Sequence, residues 1–306
     1  MCAIDFAKAF PTVNHYALRS KLVTRNVPIA LVDLLDFWLT HTRCQVKWNG
    51  KWSICYYLRI GLNQGSVLAP ALFSVLIDDV LKLANRRVIG LVIGYADDII
   101  IVSRSLYLLQ SLFTDIEVGL LKLGLRLNVA KCMCLKMGPY FDSHPCSISS
   151  GSGLSIDWVN EIRYLGVYLS EGCNFRVSYD KPKRKFCNAV NSILSKGLGV
   201  LSEEVLLHII KVKCLPILLY GTEACVPSNR SLRSFDFYLV RFIMKIFRSN
   251  SKDYIHSILE NMAFPLPSEL FAVRLSNFHL RNCDIDNLLL VLTSDKSYNV
   301  SCNYTV

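Results

Sequence analysis

No apolar run in this sequence reaches the roughly 20 residues that a membrane-spanning helix needs. The longest, Val88–Ala96, is interrupted by glycines and stopped by Asp97. The first five residues, Met1-Cys2-Ala3-Ile4-Asp5, have neither a basic start nor a long apolar stretch, so no signal peptide is expected. The twelve cysteines form no Cys-x-x-Cys pair, so the usual zinc-site signature is missing. A weaker pattern, His279 with Cys283 and Cys302, is the best that remains. Most of the cysteines have apolar neighbours, which suits buried free thiols in a reducing, intracellular setting. Repeats and low-complexity tracts are absent, and charged residues amount to only 19%. With 52% apolar residues, the chain has ample material for a core, and a disordered class is excluded.

Acids are scarce relative to bases: 24 Asp+Glu stand against 34 Lys+Arg, a net charge of +10 over 306 residues. A basic excess of this size suits a polyanionic partner. It is not spread evenly. Residues 173–252 carry 14 bases and 5 acids, and residues 253–306 carry 3 bases and 6 acids.

Periodicity divides the chain into elements. Cys2–Phe6 reads as a strand ending near an acid. Val13–Arg25 and Ile29–Thr40 read as helices. Around Asn49-Gly50 the flanking residues alternate, which predicts a tight hairpin over residues 45–54. Val67–Ala84 reads as an apolar helix with Pro70 in its first turn and Ser66 as the cap. Strands over Val88–Gly94 and Ile99–Val102 flank Tyr95-Ala96-Asp97-Asp98. A helix over Ser105–Leu123 is closed by Gly124, and Tyr140–Gly153 is a surface loop. Amphipathic helices are expected over 182–198, 203–219 and 229–248. The mixed pattern ends near residue 172, which divides the chain into residues 1–172 and 173–306.

Asp97 and Asp98 lie at the lip of two apolar strands, and Asp5 ends a third. Acids at neighbouring strand ends can share divalent cations through hard oxygen ligands. Alone, an Asp-Asp pair at a hairpin is more often a turn device. Its company alters that reading. Tyr95-Ala96-Asp97-Asp98 resembles the Tyr-x-Asp-Asp box of reverse transcriptases. Asp5-Phe6-Ala7-Lys8-Ala9-Phe10 resembles the family's first catalytic box, in the Asp-x-x-Lys-Ala-Phe form of non-LTR retrotransposons. Gly61–Phe73 resembles the Gln-Gly-Ser-x-x-x-Pro-x-Leu-Phe box, Gly124–Lys131 the Gly-Leu-x-x-Asn-x-x-Lys box, and Arg163–Val167 the Tyr-Leu-Gly primer grip. The five segments occur in family order.

The resemblance implies an α+β fold of the right-hand polymerase type. Residues 1–172 would be the palm, an antiparallel sheet with packed helices, a partial fingers hairpin and the primer grip. Residues 173–306 would be a helical thumb and C-terminal region. It implies RNA-directed DNA synthesis by two-metal nucleotidyl transfer, with two Mg2+ ions (Mn2+ the substitute) on Asp5, Asp97 and Asp98. Lys131 would donate a proton to the leaving group. Phe10, Gln64, Gly65, Ser66, Tyr95 and Ala96 would line the nucleotide, Phe10 crowding the sugar's 2′ carbon. Tyr164, Leu165 and Gly166 would support the primer, and Lys181, Lys183, Arg184 and Lys185 would track phosphates. The implied partners are an RNA template, a DNA primer and deoxynucleoside triphosphates, with no membrane, and the implied compartment is the nucleus.

Three departures stand out. Pro11 replaces an acid after Phe10, Asn63 replaces a common Pro, and only four residues precede Asp5. The last predicts a fragment without the family's N-terminal fingers. The competing class is a catalytically inactive nucleic-acid-binding remnant; a two-metal nuclease lacks a supporting motif.

Overall fold

The computed structural model describes residues 1–85, 90–139 and 146–282. The chain forms two compact units, one of Met1–Leu165 with Ser170–Arg176, the other of Gly166–Leu169 with the described residues from Val177 on. Among the described residues no helix is long and apolar enough to cross a membrane.

The first unit is mixed α/β. Strand β1 (Cys2–Ile4) leads through a 3-10 turn at Phe10–Thr12 to helices α1 (His15–Thr24) and α2 (Ile29–Thr40). Helix α1 starts two residues later than its apolar pattern suggests, because the Asn14 side chain caps it, accepting from the Tyr16 and Ala17 N–H groups. Short strands β2 (Arg43–Cys44), β3 (Lys47–Trp48), β4 (Lys51–Trp52) and β5 (Tyr56–Tyr57) form a two-stranded ribbon, β2 on β5 and β3 on β4. Its tip is the expected hairpin, with Asn49 and Gly50 both at positive φ, 45° and 79°.

Helix α3 (Ala69–Asn85) follows. It begins later than the Ser66 cap implied, because Ser66 belongs to a preceding turn: its carbonyl accepts from Ala69 N–H and its own N–H donates to Asn63. Next come β6 (Gly90–Tyr95), β7 (Asp98–Ser103) and α4 (Leu106–Lys122). Gly124, at φ 78°, closes α4, and Leu125 N–H returns to the Leu120 carbonyl. The described part of the expected Tyr140–Gly153 loop contains a short strand. The remaining strands of the unit are β8 (Met133–Cys134), β9 (Ile148–Ser149), β10 (Ser155–Trp158) and β11 (Glu161–Tyr164).

The main sheet has the order β6-β7-β1-β8-β10-β9. It is not wholly antiparallel as expected: β10 runs parallel to β8. No tight hairpin joins that pair; the chain leaves β8 and returns some twenty residues later, which frees it to enter in either direction. Helices α3 and α4 pack on β6 and β7 and on each other. Phe73, Leu76, Phe113 and Ile116 from the helices meet Ile99 and Ile101 in a fully enclosed core.

The second unit takes in most of β12 (Val167–Ser170) and resumes at the end of β13 (Arg176–Val177). That unit comprises α5 (Asp180–Gly197), α6 (Glu203–Ile209), α7 (Leu215–Leu219), α8 (Asn229–Ile246), α9 (Lys252–Asn261) and α10 (Pro267–Asn282). The helix expected over 203–219 is interrupted by a π-helical turn at Ile210–Cys214. Pro216 explains this, since it has no N–H to donate and its ring would strike the carbonyl four residues back. Phe186, Val190 and Leu194 of α5 and Phe235, Leu239, Ile243 and Ile246 of α8 form the buried faces. In the weak His279 pattern, Cys283 and Cys302 fall outside the described residues.

Candidate active site

β6 and β7 pair in unbroken register from Gly90–Ser103 to Tyr95–Asp98, leaving Ala96 and Asp97 as a two-residue turn. Ala96 has φ 52°, a left-handed conformation that costs an alanine about 1–2 kcal/mol. Strain of this kind collects at functional turns. On the other side of β7, Cys2 faces Ile101 and Ile4 faces Ile99. Asp5 follows Ile4 and Asp98 precedes Ile99, so both acids lie at the same end of the paired strands. Pairing alone thus gathers Asp5, Asp97 and Asp98 at one end of the central strands.

The electrostatics carry that proximity. Burial raises the Asp98 carboxyl above the usual carboxylate range, and Asp97 and Asp5 add to the effect, while Arg163 opposes it. Burial also raises Tyr164, with Asp98 contributing, and the Tyr164 hydroxyl is buried without a hydrogen-bond partner. Arg163 and Tyr164 therefore belong to the acidic end of the sheet. Both lie inside the Arg163–Val167 motif, but nothing in the motif's spelling announces that they face Asp98.

The Gly124–Lys131 segment is bound to the first acidic box by backbone bonds. Ala7 N–H donates to the Arg126 carbonyl and Asn128 N–H to the Asp5 carbonyl, both at 2.9 Å, and Phe6 bridges to Leu127. A 3-10 turn at Val129–Lys131 then brings Lys131 Nζ to 3.8 Å from Asp5 Oδ2. That is ion-pair range but too long for a hydrogen bond, and Asp5 Oδ2 is out of solvent with no hydrogen-bond partner. Beneath it, burial pushes the Cys132 thiol up to about 11, so it stays neutral.

The Gly61–Phe73 segment is tied to the same box. Leu62 N–H donates to Phe10 and Gly61 N–H to Val13, both at 2.8 Å. His15 Nε2 donates to the Gly61 carbonyl at 2.7 Å. Gly61 has φ 90°, and a Cβ there would lie 2.6 Å from the Pro11 carbonyl oxygen, so only glycine fits. The half-buried Phe10 ring stacks on Phe73 of α3, centroids 4.9 Å apart, and Phe6 meets Phe73 edge-on. Gln64 and Gly65 lie exposed in the turn before α3, Ser66 is half-buried there, and Tyr95 is exposed.

Whether these acids suit a metal turns on donor type. Among the described residues no three His, Cys, Asp or Glu side chains converge as a ready-made ligand set. The donors nevertheless fit a hard divalent cation: they are all carboxylates, they disfavour one another's charge at Asp98, and one buried oxygen has no hydrogen-bond partner.

The remaining candidates are distributed differently. Leu165 has φ 46° and Gly166 φ 85°. In the helical unit, a Cβ on Gly166 would lie 2.7 Å from the Tyr220 ring. Lys181 and Lys185 lie over the Tyr168 ring at 4.7 and 5.6 Å, and Lys185 Nζ donates to its hydroxyl at 3.2 Å. Lys183 pairs with Asp180 at 3.4 Å. Arg184 is exposed and, with Asp180, Lys183, Cys187, Asn188 and Tyr238, lines a shallow groove of α5 and α8.

A family model described as reverse transcriptase (RNA-dependent DNA polymerase) matches residues 1–169. The RNA-directed DNA polymerase from mobile element jockey of Drosophila funebris is 29% identical over 187 residues, covering 57% of this chain and 20% of that protein. The retrovirus-related Pol polyprotein from type-1 retrotransposable element R2 of Nasonia vitripennis is 27% identical over 190 residues, covering 55% and 18%. The chain matches about a fifth of the length of these two relatives. Telomerase from Candida albicans, solved in complex with a TWJ fragment of telomeric RNA, aligns with 91% of this chain and 50% of its own, at 10% identity and TM-score 0.42.

Proposed function

The chain belongs to the reverse transcriptase (RNA-dependent DNA polymerase) family, of the non-LTR retrotransposon kind, and from that premise we propose that it carries the nucleotidyl-transfer site for RNA-templated DNA synthesis. The observation that supports this most directly is the strand pairing that puts Asp5, Asp97 and Asp98 at one end of the central strands, with Lys131 at 3.8 Å from Asp5. In this reading residues 1–172 act as the palm and 173–306 as the thumb and C-terminal region.

Asp5, Asp97 and Asp98 would hold two Mg2+ ions, which supply charge neutralisation around the transferred phosphoryl group and lower the pKa of the attacking hydroxyl. The protein's own contribution is positioning. Asp5 Oδ2, which has no hydrogen-bond partner, is the oxygen available for a cation, and Asp98 is the supporting acid. Lys131 stands where it can pass a proton to the leaving pyrophosphate. The Phe10 ring, stacked on Phe73, would crowd the 2′ position and reject ribonucleotides. Gln64, Gly65, Ser66, Tyr95 and Ala96 would line the nucleotide and template. Tyr164, Leu165 and Gly166 would hold the primer end, and Lys181, Lys183, Arg184 and Lys185 would follow the duplex phosphates. The partners are then an RNA template, a DNA primer and deoxynucleoside triphosphates, and the expected compartment is the nucleus.

Primer extension on an RNA template with Mg2+ tests the reading. Asp97→Asn and Asp5→Asn are expected to abolish extension while leaving salt-dependent RNA binding intact. Extension that survives either change would overturn the assignment of these acids, and a wild-type chain that binds RNA yet never extends a primer would overturn the reading in favour of a binding remnant.

A further inference from the structure

The ribbon formed by β2, β3, β4 and β5 has no part in the acidic site, yet its surface is unusual. An isolated two-stranded ribbon is marginal in water and normally carries polar faces. Here Trp48 is 82% exposed, Trp52 61% and Ile54 91%, and Tyr56 and Tyr57 are about half exposed. Solvent-facing aromatics in such number usually mark a binding surface.

The charge on the ribbon identifies the partner's chemistry. From Phe37 to Ile77 the sequence contains no acid, while Arg43, Lys47, Lys51 and Arg59 lie in or beside the ribbon. Register interleaves them with the rings. Lys47 faces Trp52 and Trp48 faces Lys51, so each face of the tip carries one tryptophan and one lysine. Lys47 Nζ lies 5.1 Å from the Trp52 ring centre, and Arg43 lies 5.4 Å from that of Tyr57, its cross-strand partner. Trp48, next to the Asn49-Gly50 turn, is the most exposed ring.

We propose that this ribbon is a stacking clamp for unpaired RNA: the Trp48 and Trp52 rings take bases and Arg43, Lys47, Lys51 and Arg59 take the phosphates. A flat ring stacks on any base and a neighbouring cation neutralises the backbone, which suits a strand read along its length without sequence preference. A duplex hides its base faces and offers phosphates alone. The ribbon is also anchored to the candidate site. Leu58 N–H donates to Thr42 at its base, and the exit strand continues to Gly61, which is bonded to Val13, and so to Gln64. The choice of RNA rests on the polymerase reading above, in which the unpaired strand is the template.

The test is fluorescence anisotropy of a labelled 12-nucleotide RNA with the full chain, at several salt concentrations. Trp48→Ala is expected to weaken binding by about ten-fold or more, and Trp48→Phe to restore most of it. Lys47→Ala with Lys51→Ala should flatten the slope of log affinity against log salt by about 1.4. Far-UV circular dichroism checks that the variants fold, and the Phe variant keeps the test decisive where Ala disturbs the ribbon. Wild-type binding that Trp48→Ala leaves untouched overturns the clamp alone. Tighter binding of the matching DNA 12-mer, or of a duplex, overturns the RNA assignment. A wild-type dimer in sedimentation that Trp48→Ala dissociates makes the ribbon a self-interface instead. A wild-type chain that binds no RNA overturns both the clamp and the polymerase reading.

Discussion

The contact between Phe73 and Phe10 is where the core of the first unit touches the proposed chemistry, and it can be measured. Phe73 is fully buried, with Phe10 stacked on it at 4.9 Å and 29° and Phe6 edge-on at 5.9 Å and 82°. Phe73→Ala would cost about 3–5 kcal/mol, a large part of the roughly 5–15 kcal/mol that keeps a domain folded. Phe73→Leu is the better perturbation, because it keeps most of the apolar volume and removes only the ring. Two aromatic pairs are then lost at about 0.5–1.5 kcal/mol each, for a total of about 1–3 kcal/mol. Phe10→Leu removes one of those pairs. In the double variant that pair is counted once, so the coupling energy should be about 0.5–1.5 kcal/mol. Urea unfolding of the four proteins measures it, with equal denaturant slopes as the check that the unfolded state is unchanged. Coupling below about 0.3 kcal/mol would show that the rings act independently. The reasoning that Phe73 holds Phe10 against the sugar would then fail. If it holds, both leucine variants should incorporate ribonucleotides more readily, Phe10→Leu the more so.

Other expectations follow from single sites. The Asp98 carboxyl is raised in the folded protein, so it stabilises the fold below its unfolded value near 4 and that contribution is lost as pH rises through the folded value. Asp98→Asn should therefore raise the melting temperature at neutral pH and converge with wild type near pH 4, while losing synthesis. The opposite sign applies to Asp78, held low by Lys82 and Arg25, and to Asp79, held low by Lys21 and Arg25. Their contribution is present above the unfolded value and lost as pH falls through the lowered ones, so Asp79→Asn should lower the melting temperature at pH 7 and have little effect at pH 2. Gly61→Ala forces a Cβ against the Pro11 backbone at positive φ, and should cost about 2 kcal/mol or more in urea unfolding.

Local features were readable because their causes are local. Helix α2 begins and ends where its apolar spacing says it should, and the Asn49-Gly50 tip adopts the two positive φ angles that its residues favour. The misreadings have causes outside the segment or in a single residue. Ser66 spends its backbone groups on a turn instead of a cap. Pro216 widens one helix into a π-turn. β10 enters the sheet beside β8, a partner some twenty residues away. Of the candidate site, Asp5, Asp97, Asp98 and Lys131 stood out by residue type and order. Arg163 and the Tyr164 hydroxyl did not, because their relation to Asp98 depends on strand placement.

By itself the sequence determined which chemistry is available. It supplied carboxylates at the ends of apolar strands, a lysine three residues past Asn128, a basic excess over residues 173–252, and five segments in one order. Tertiary structure alone decided that the acids and Lys131 meet. Asp5 and Asp98 are brought to one end of a sheet by the pairing of β1 with β7, and Lys131 is brought to Asp5 by the backbone bond from Asn128 to the Asp5 carbonyl. Register is a property of pairs of segments, set by which apolar side chains each can bury against the other. The same dependence on pairing placed Trp48 and Lys51 together on one face of the ribbon, a neighbourhood that composition does not reveal.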